Sequence, residues 1–322
     1  MALLDVKNLS IGYRTKRGYL RAVERVSFSL DRGDSLGFVG ESGCGKTTIG
    51  MALMGLLPAN GGVTEGEILF EGEDLLQKSD EEIRDIRWKK LAMVFQAAMN
   101  ALNPVQRVAD QILEAMFTHE PKLKKNEARK RLEELYQLVG IPMERMRDYP
   151  HQYSGGMKQR AIIAMALACS PSLIIADEPT TALDVIVQDQ ILQEIKSLQE
   201  KLGISLIFIS HDISIVAEVC DTIGVMYAGQ LVEFGSREDV FTTPEHPYTK
   251  ALLASYPTLT GEKIDLTPIP GEAPNLIRPP WGCRFCDRCS GSMALCKLEP
   301  PEWLDISPTH RVLCGECEKR KA

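Results

Sequence analysis

The chain opens with positions at which apolar and polar residues alternate. Residues 4–9 nearly alternate, and residues 26–30 (VSFSL) alternate strictly, which is typical of strands with one buried face. Residues 34–39 (DSLGFV) form a mostly apolar run that leads into a glycine-rich loop, as a buried strand would. Residues 65–71 suggest a further strand. The first part of the chain is therefore expected to consist mainly of β-structure.

The pattern becomes helical from about residue 97 to 153. Apolar residues recur there at helical spacing, followed by a glycine at the expected C-terminal cap: Ala128, Leu132, Leu135, Tyr136, Val139 and Gly140. Apolar strands at 172–176 and 205–209 then enclose a second helix, whose predicted inward residues are Ile191, Leu192, Ile195, Leu198 and Leu202. A strand, a helix and a strand at this spacing predict an α/β fold with a parallel sheet covered by helices.

The composition changes after about residue 236. Prolines become frequent, which indicates a linker followed by an irregular segment. Six of the nine cysteines also lie in the last forty residues, at Cys283, Cys286, Cys289, Cys296, Cys314 and Cys317. We therefore expect two domains, 1–235 and 236–322, the second with a small, irregular, cysteine-rich module.

Charge and hydropathy exclude several protein classes. The first residues (MALLDVK) carry charge too early for a signal peptide, and no apolar run approaches the ~20 residues of a transmembrane helix. Contact with a membrane is thus expected only through partner proteins. Without a secretory signal, the cysteines favour a metal or iron–sulfur site over a disulfide framework. The formal net charge of −7 argues against a nucleic-acid partner.

A phosphate-binding loop is the clearest motif. Residues 40–47 (GESGCGKT) match G-x-x-x-x-G-K-S/T in full, between a predicted strand and a predicted helix. Backbone N–H groups of such a loop turn towards phosphates, the lysine reaches the β- and γ-phosphates, and the threonine hydroxyl ligates Mg²⁺. The residues expected to contact nucleotide here are Gly40, Ser42, Gly43, Cys44, Gly45, Lys46, Thr47 and Thr48.

Two carboxylates follow the strand at 172–176. Asp177 and Glu178 come at its C-terminal end, the edge at which open α/β sheets bind ligands. We expect Asp177 to hold Mg²⁺ and Glu178 to polarise the attacking water.

Residues 153–160 (YSGGMKQR) resemble the signature motif of ABC-type ATPases, with tyrosine where leucine is usual. Further positions resemble motifs of the same family in the same order, namely Gln96 (the Q-loop), Asp184 (the D-loop) and His211 (the switch histidine). Tyr13 resembles the aromatic residue that stacks on adenine, and Tyr19 is the alternative. The resemblance extends from residue 1 to about 235.

The resemblance implies an ABC-type P-loop NTPase, with a RecA-like core, an antiparallel β subdomain and a helical subdomain at about 97–153. It assigns catalysis to Glu178, His211, Gln96 and Lys46, and Mg²⁺ to Thr47, Gln96 and Asp177. It also implies that Ser154, Gly155 and Gly156 contact the ATP held by an opposite subunit, so that ATP closes two such subunits face to face.

A narrower resemblance concerns dipeptide and oligopeptide importers. It rests on residues 96–105 (QAAMNALNPV), 246–253 (HPYTKALL) and 268–274, although the family more often has Asp-Pro in place of Ala97-Ala98. It implies an ATP-hydrolysing subunit on the cytoplasmic face of the membrane. Its partners would be two permease subunits, an extracellular solute-binding protein, and a second related ATPase or another copy of this chain. Peptides are the expected solute, with oligosaccharides or nickel as alternatives.

Two sets of cysteines could bind a metal centre. The compact run Cys283, Cys286, Cys289 and Cys296 approaches ferredoxin spacing, but its last gap is too long and no proline follows it. The tail of the importer subfamily instead implies Cys283, Cys289, Cys296 and Cys314, with Cys286 as an alternative ligand. That tail is associated with a four-iron, four-sulfur (4Fe-4S) cluster, and an all-thiolate site also suits Zn²⁺.

Other ATPase classes fit less well. Enzymes of DNA repair and chromosome maintenance share the nucleotide fold, but they insert long coiled coils or DNA-binding modules before the signature. This chain has only a compact helical segment there. Translation-associated ATPases normally join two nucleotide domains, whereas this chain has one phosphate loop and one signature.

Overall fold

The computed structural model describes residues 2–96, 101–181, 183–255 and 268–315. The elements of the first half are β1 (Leu4–Thr15), β2 (Gly18–Leu30), β3 (Ser35–Val39), α1 (Lys46–Leu53), β4 (Gly61–Phe70), β5 (Glu73–Asp74), α2 (Asp80–Ile86), β6 (Leu91–Val94), α3 (Val108–His119) and α4 (Lys125–Leu138). Those of the second half are α5 (Gly155–Leu167), β7 (Leu173–Asp177), α6 (Val185–Leu202), β8 (Ser205–Ser210), α7 (Ile213–Val219), β9 (Thr222–Tyr227), β10 (Gln230–Ser236), α8 (Arg237–Thr242), α9 (Pro247–Ala254), α10 (Ala294–Leu298), β11 (Trp303–Asp305) and β12 (Arg311–Leu313).

The chain divides into two compact units. Unit 1 comprises Met1–Leu30, Ser35–Leu76 and Ile209–Ala322. Its first sheet is antiparallel, in the order β2-β1-β4-β5, because β1 pairs with both β2 and β4. In a second set of strands β3 pairs in parallel with β9, and β10, β12 and β11 follow in antiparallel order. The predicted antiparallel β-structure is thus confirmed.

Unit 2 comprises Asp31–Asp34 and Gln77–Phe208. Its parallel strands β6 and β7 pair in register, and α3 to α6 belong to the same unit. The predicted apolar face of α4 is buried, and Gly140 takes a left-handed φ of 64° just after the helix, as a C-terminal cap requires. The expected α/β fold with a helical region is therefore confirmed.

One expectation needs correction. Leu202 is 45% exposed, whereas the other four predicted inward residues of α6 are buried. Leu202 is the last residue of the helix, which ends at Gly203 in a left-handed conformation. In the tail, β12 pairs with both β10 and β11. The division at residue 235 stays a prediction.

Among the described residues, no helix is both long enough and apolar enough to cross a membrane.

Candidate active site

The phosphate loop of unit 1 depends on glycine at two points. Strand β3 is buried along its whole length and delivers the chain to Gly40, whose φ is 149°. A Cβ at Gly40 would lie 2.0 Å from the carbonyl oxygen of Met226, and a Cβ at Gly45 would lie 2.6 Å from that of Ala22. Since real side chains do not tolerate such contacts, only glycine lets the loop close beneath a phosphate.

Lys46 lies against this loop. It is 5% exposed, and its ammonium donates to the carbonyl oxygens of Gly40 (2.6 Å) and Glu41 (3.1 Å). Its Nζ is also 3.4 Å from the sulfur of Cys44, a thiol whose pKa is raised by burial. Helix α1 begins at Lys46 after Gly45, so no side chain caps its first N–H groups. A cation and a helix N-terminus together form a binding site for anionic oxygens.

The remaining predicted residues of the loop differ in exposure. Ser42, Gly43 and Thr47 are exposed, whereas Thr48 is partly buried. The hydroxyl of Tyr13 donates to Thr48 Oγ1 at 3.3 Å, which connects the β1–β2 hairpin to α1. Tyr19 is 43% exposed, and its hydroxyl lies against Gly12, where a Cβ would come within 2.1 Å of it. Both candidates for adenine stacking therefore lie on one hairpin.

His211 lies in unit 1, directly after the last residue of β8, and is exposed. The next residue, Asp212, caps α7 by accepting from the N–H of Ser214 at 2.9 Å. Asp212 thus caps the helix, and His211 lies between the end of β8 and this cap.

In unit 2, the parallel register of β6 and β7 brings the Q-loop glutamine to the predicted catalytic carboxylate. Val94 pairs with Ala176, so Gln96 and Glu178 come at equivalent positions beyond the two strand ends. Gln96 Nε2 donates to Glu178 Oε2 at 2.8 Å. The residues after Gln96, Ala97 and Ala98 among them, lie outside the described residues.

The backbone of Glu178 is unusual. Its φ is 46°, a left-handed conformation that is uncommon for residues other than glycine. Its carboxylate also accepts from the hydroxyl of Thr181 at 3.0 Å, while the preceding Asp177 is only 1% exposed. Residues in sparsely populated backbone conformations cluster at active sites, so this conformation is compatible with the role predicted for Glu178.

The signature segment is the N-terminus of α5. Ser154 caps this helix by accepting from the N–H of Met157, and Ser154 and Gly155 are exposed, with Gly156 partly buried. Tyr153 is 5% exposed, and its hydroxyl lies 3.1 Å from that of Tyr136. Tyrosine therefore replaces the usual leucine as a buried side chain whose polar atom has a partner.

The D-loop aspartate has a structural function as well. Asp184 caps α6 by accepting from the N–H of Val187 at 3.0 Å. The two residues after it, Val185 and Ile186, are 83% and 73% exposed. Sequence reasoning missed this apolar pair, although its position outside the inward stripe of α6 could have revealed it. Ala182 of the D-loop lies outside the described residues.

The cysteines of the tail share one cavity in unit 1. A cavity of about 330 Å³ is lined by His246, Phe285 and five cysteines: Cys283, Cys286, Cys289, Cys296 and Cys314. Both predicted ligand sets are therefore brought together, and Cys317 lies outside the described residues. The N–H of Cys283 donates to the carbonyl oxygen of Cys296 at 2.7 Å, which joins two of the cysteine segments directly.

The surroundings of Cys283 in this cavity disfavour its thiolate form. The pKa of Cys283 is raised to about 12, mainly by burial and to a smaller extent by the neighbouring Cys314, Cys296 and Cys286. A buried cluster of sulfurs is costly as thiolates unless a cation neutralises them. Among the described residues, however, no three His, Cys, Asp or Glu side chains are arranged to hold a metal ion.

Comparison with known proteins identifies the family. The ABC transporter family matches residues 23–181, and the family described as the C-terminal region of oligopeptide/dipeptide transporters matches residues 232–296. The chain is 48% identical over 321 residues to the dipeptide transport ATP-binding protein DppD of Bacillus subtilis, covering 99% of this chain and 96% of that relative. This chain belongs to the ABC transporter family.

Other members of the family agree. The oligopeptide transport ATP-binding protein OppD of Bacillus subtilis is 50% identical over 315 residues, covering 96% of this chain and 87% of that protein. Among solved structures, the dimeric ATP-binding cassette MJ0796 bound to ADP and Pi is 28% identical with a TM-score of 0.64, covering 73% of this chain and 98% of that chain. The cassette cbiO1 of Clostridium perfringens is 29% identical with a TM-score of 0.66, covering 75% and 91%. The ABC ATPase fold is therefore established.

Proposed function

We propose that this chain hydrolyses ATP to ADP and phosphate and thereby energises an ABC importer for dipeptides or oligopeptides. One observation carries the proposal: the similarity to dipeptide and oligopeptide transport ATP-binding proteins runs through both the nucleotide motifs and the C-terminal region. A DNA-repair ATPase would share only the first of these parts.

In unit 1, the phosphate loop binds the nucleotide. Lys46 exchanges its loop carbonyl partners for the β- and γ-phosphate oxygens, and the N–H groups at the start of α1 face the same charge. Tyr13 stacks on the adenine, since its hydroxyl bond to Thr48 fixes it beside α1, with Tyr19 as the alternative. His211, exposed at the end of β8, contacts the γ-phosphate and orients the water.

In unit 2, Glu178 polarises the attacking water, and Gln96 holds this carboxylate through the 2.8 Å bond. Gln96 and Asp177 of this unit carry oxygen atoms of the kind that Mg²⁺ prefers, and in unit 1 the hydroxyl of Thr47 is another oxygen donor of that kind. When bound, Mg²⁺ neutralises charge on the phosphates.

A second ATPase subunit completes the site. The exposed N-terminus of α5 at Ser154, with Gly155 and Gly156, offers N–H groups to the γ-phosphate of an opposite subunit. The exposed apolar Val185 and Ile186 beside Asp184 give such an interface a hydrophobic contact. We infer that the partner is a related ATPase or a second copy of this chain. Two permease subunits, reached from the cytoplasmic face, and an extracellular solute-binding protein complete the importer, with no role for nucleic acid.

The cysteine cavity would hold a 4Fe-4S cluster, with Zn²⁺ as the alternative, and the bound centre would stabilise the tail. No three described His, Cys, Asp or Glu side chains are arranged around a single ion, and an all-thiolate site would suit zinc as well as iron. A four-iron cluster bound by four cysteine thiolates occupies more space than a single metal ion. Its size would therefore suit a cavity of about 330 Å³ that is lined by five cysteines. The favoured ligands are Cys283, Cys289, Cys296 and Cys314, because the sulfur of Cys286 lies 3.0 Å from the hydroxyl of Ser292.

The test is to express the chain with the permease subunits encoded beside it and to purify the complex. We expect co-purification, and ATP hydrolysis that a peptide-loaded binding protein stimulates. Stimulation by nickel or an oligosaccharide instead of a peptide would correct the substrate. Failure to associate with any permease would contradict the importer function itself.

A further inference from the structure

Arg288 of the cysteine-rich tail contacts the phosphate loop. Arg288 lies between Cys286 and Cys289, and its guanidinium forms two parallel bonds with the carboxylate of Glu41. The distances are 2.8 Å from Nη1 to Oε2 and 2.8 Å from Nη2 to Oε1. Glu41 is the second residue of the phosphate loop, so residues 247 positions apart in sequence meet here.

The guanidinium is held rigidly. Its side chain is only 6% exposed, and each of its five N–H groups has an acceptor. Besides Glu41, these acceptors are the hydroxyl of Tyr227 (3.2 Å) and the carbonyl oxygens of Pro270 (2.7 Å) and Ile269 (3.4 Å). The hydrogen bonds to Glu41 are the main cause of a raised pKa for Arg288. This bidentate geometry fixes direction as well as charge, which a lysine could not do.

A second contact holds the main chain of the same residue. The N–H of Glu41 donates to the hydroxyl of Tyr248 at 2.9 Å, and Tyr248 is fully buried. The Tyr248 ring packs against Tyr227 (centroids 4.6 Å apart) and Phe285 (5.4 Å). Phe285 directly precedes Cys286. The tail and its neighbours therefore fix both the side chain and the backbone of Glu41.

The charge of Glu41 explains why such a contact is needed. A carboxylate next to Gly40 adds negative charge to a loop that must accept polyphosphate. Lys46 already lies 3.1 Å from the carbonyl oxygen of Glu41. Without Arg288, the freed carboxylate would repel the phosphates and compete with them for the ammonium of Lys46.

We propose that Arg288 is a positioning residue of the phosphate loop: it neutralises Glu41 and turns it away from the nucleotide, so that the cysteine-rich tail sets the affinity for ATP. This inference rests on the proposed role of the phosphate loop in ATP binding. The tail thus contributes to nucleotide binding through its contact with the phosphate loop.

The experiment measures equilibrium binding of a labelled ATP analogue to the full chain. We expect Arg288→Gln to weaken binding by about tenfold, because it exposes an uncompensated carboxylate. Arg288→Lys should recover part of this loss, since it restores the charge without the fork. In the double variant Arg288→Gln with Glu41→Gln, binding should return to within about threefold of Glu41→Gln alone. If Arg288 only held the fold, the loss and the rescue of ATP binding would follow the thermal stability of the variants; the proposed role predicts weaker binding by Arg288→Gln even at temperatures at which that variant is fully folded.

Two control variants remove a tail cation without touching the loop. Arg311→Gln removes a guanidinium that lies over the Trp303 ring, and Lys297→Gln removes the exposed partner of Asp287. Both should bind ATP as the wild type does. Thermal unfolding of every variant checks the fold.

The outcomes separate two failures. If Lys46→Ala weakens binding but Arg288→Gln does not, or if the double variant stays as weak as Arg288→Gln, this inference is wrong while the nucleotide function stands. If Lys46→Ala binds ATP like the wild type, the phosphate-loop proposal fails and the inference fails with it.

Discussion

Replacing Glu178 by Gln should separate hydrolysis from binding. Glutamine keeps an oxygen where Glu178 Oε2 accepts from Gln96 (2.8 Å) and Thr181 (3.0 Å), and it can take the same left-handed backbone. Because each such bond contributes only about 0.5–1.5 kcal/mol and both can persist, we expect stability to change by about 1 kcal/mol or less. Removal of a general base costs about 10²–10⁴-fold in rate, equivalent to about 2.7–5.4 kcal/mol of barrier.

The assay is phosphate release at saturating ATP, together with binding of a labelled analogue. Glu178→Gln should retain binding within about threefold and lose at least about 100-fold in turnover. Thr181→Val is the matched control, because it removes one hydrogen bond but keeps the carboxylate; it should lower turnover by about tenfold at most. Turnover of Glu178→Gln within about threefold of the wild type would refute the role assigned to this carboxylate.

Four further predictions follow from the same structure. Lys46→Ala should abolish most ATP binding, and an unchanged dissociation constant would exclude it as a phosphate ligand. Ser154→Arg should spare ATP binding by the isolated chain but prevent ATP-dependent dimerisation, which sedimentation can measure. Cys289→Ser should lose bound iron and expose the tail to protease, whereas Cys286→Ser should keep the iron if Cys314 is the fourth ligand; iron-free wild-type protein prepared anaerobically would contradict both. The hydrogen bond to Glu233 raises the pKa of His310. The histidine should therefore stabilise the fold fully below about pH 6.5 and progressively less as the pH rises above that value. Denaturant titrations at pH 6 and pH 8 should show a decrease in the free energy of unfolding for the wild type that the His310→Gln variant lacks.

The parts of the site that depend on local chemistry could be predicted from the sequence. The phosphate loop needs glycines with positive φ, and Gly40 and Gly45 both have it. The pairing of Gln96 with Glu178 follows from a general property of parallel strands, whose carboxyl ends meet at one edge. The sequence analysis placed Gln96 and Glu178 by motif order, but it did not predict the bond between them, because it did not identify strand β6.

Other features depend on tertiary contacts that no local pattern encodes. The exposure of Leu202 depends on what covers the end of α6, which helical periodicity does not report. The bond between Arg288 and Glu41 joins two segments that are far apart in the sequence. The phosphate-loop motif accounts for the residues around Glu41 and the cysteine motif for those around Arg288, so neither motif predicts the contact. The sequence signal was the position of a charged residue, Arg288, between two cysteines, and this position does not indicate which residue it contacts.

Peptide uptake driven by this chain tests the central proposal most directly. Cells that lack the chain are complemented with the wild type or with Glu178→Gln, and accumulation of a labelled dipeptide is measured. We predict that the wild type restores uptake and that Glu178→Gln, although expressed and able to bind ATP, does not. Equal uptake with the two chains, or peptide uptake that persists when the chain is absent, would contradict the proposal that ATP hydrolysis by this subunit energises peptide import.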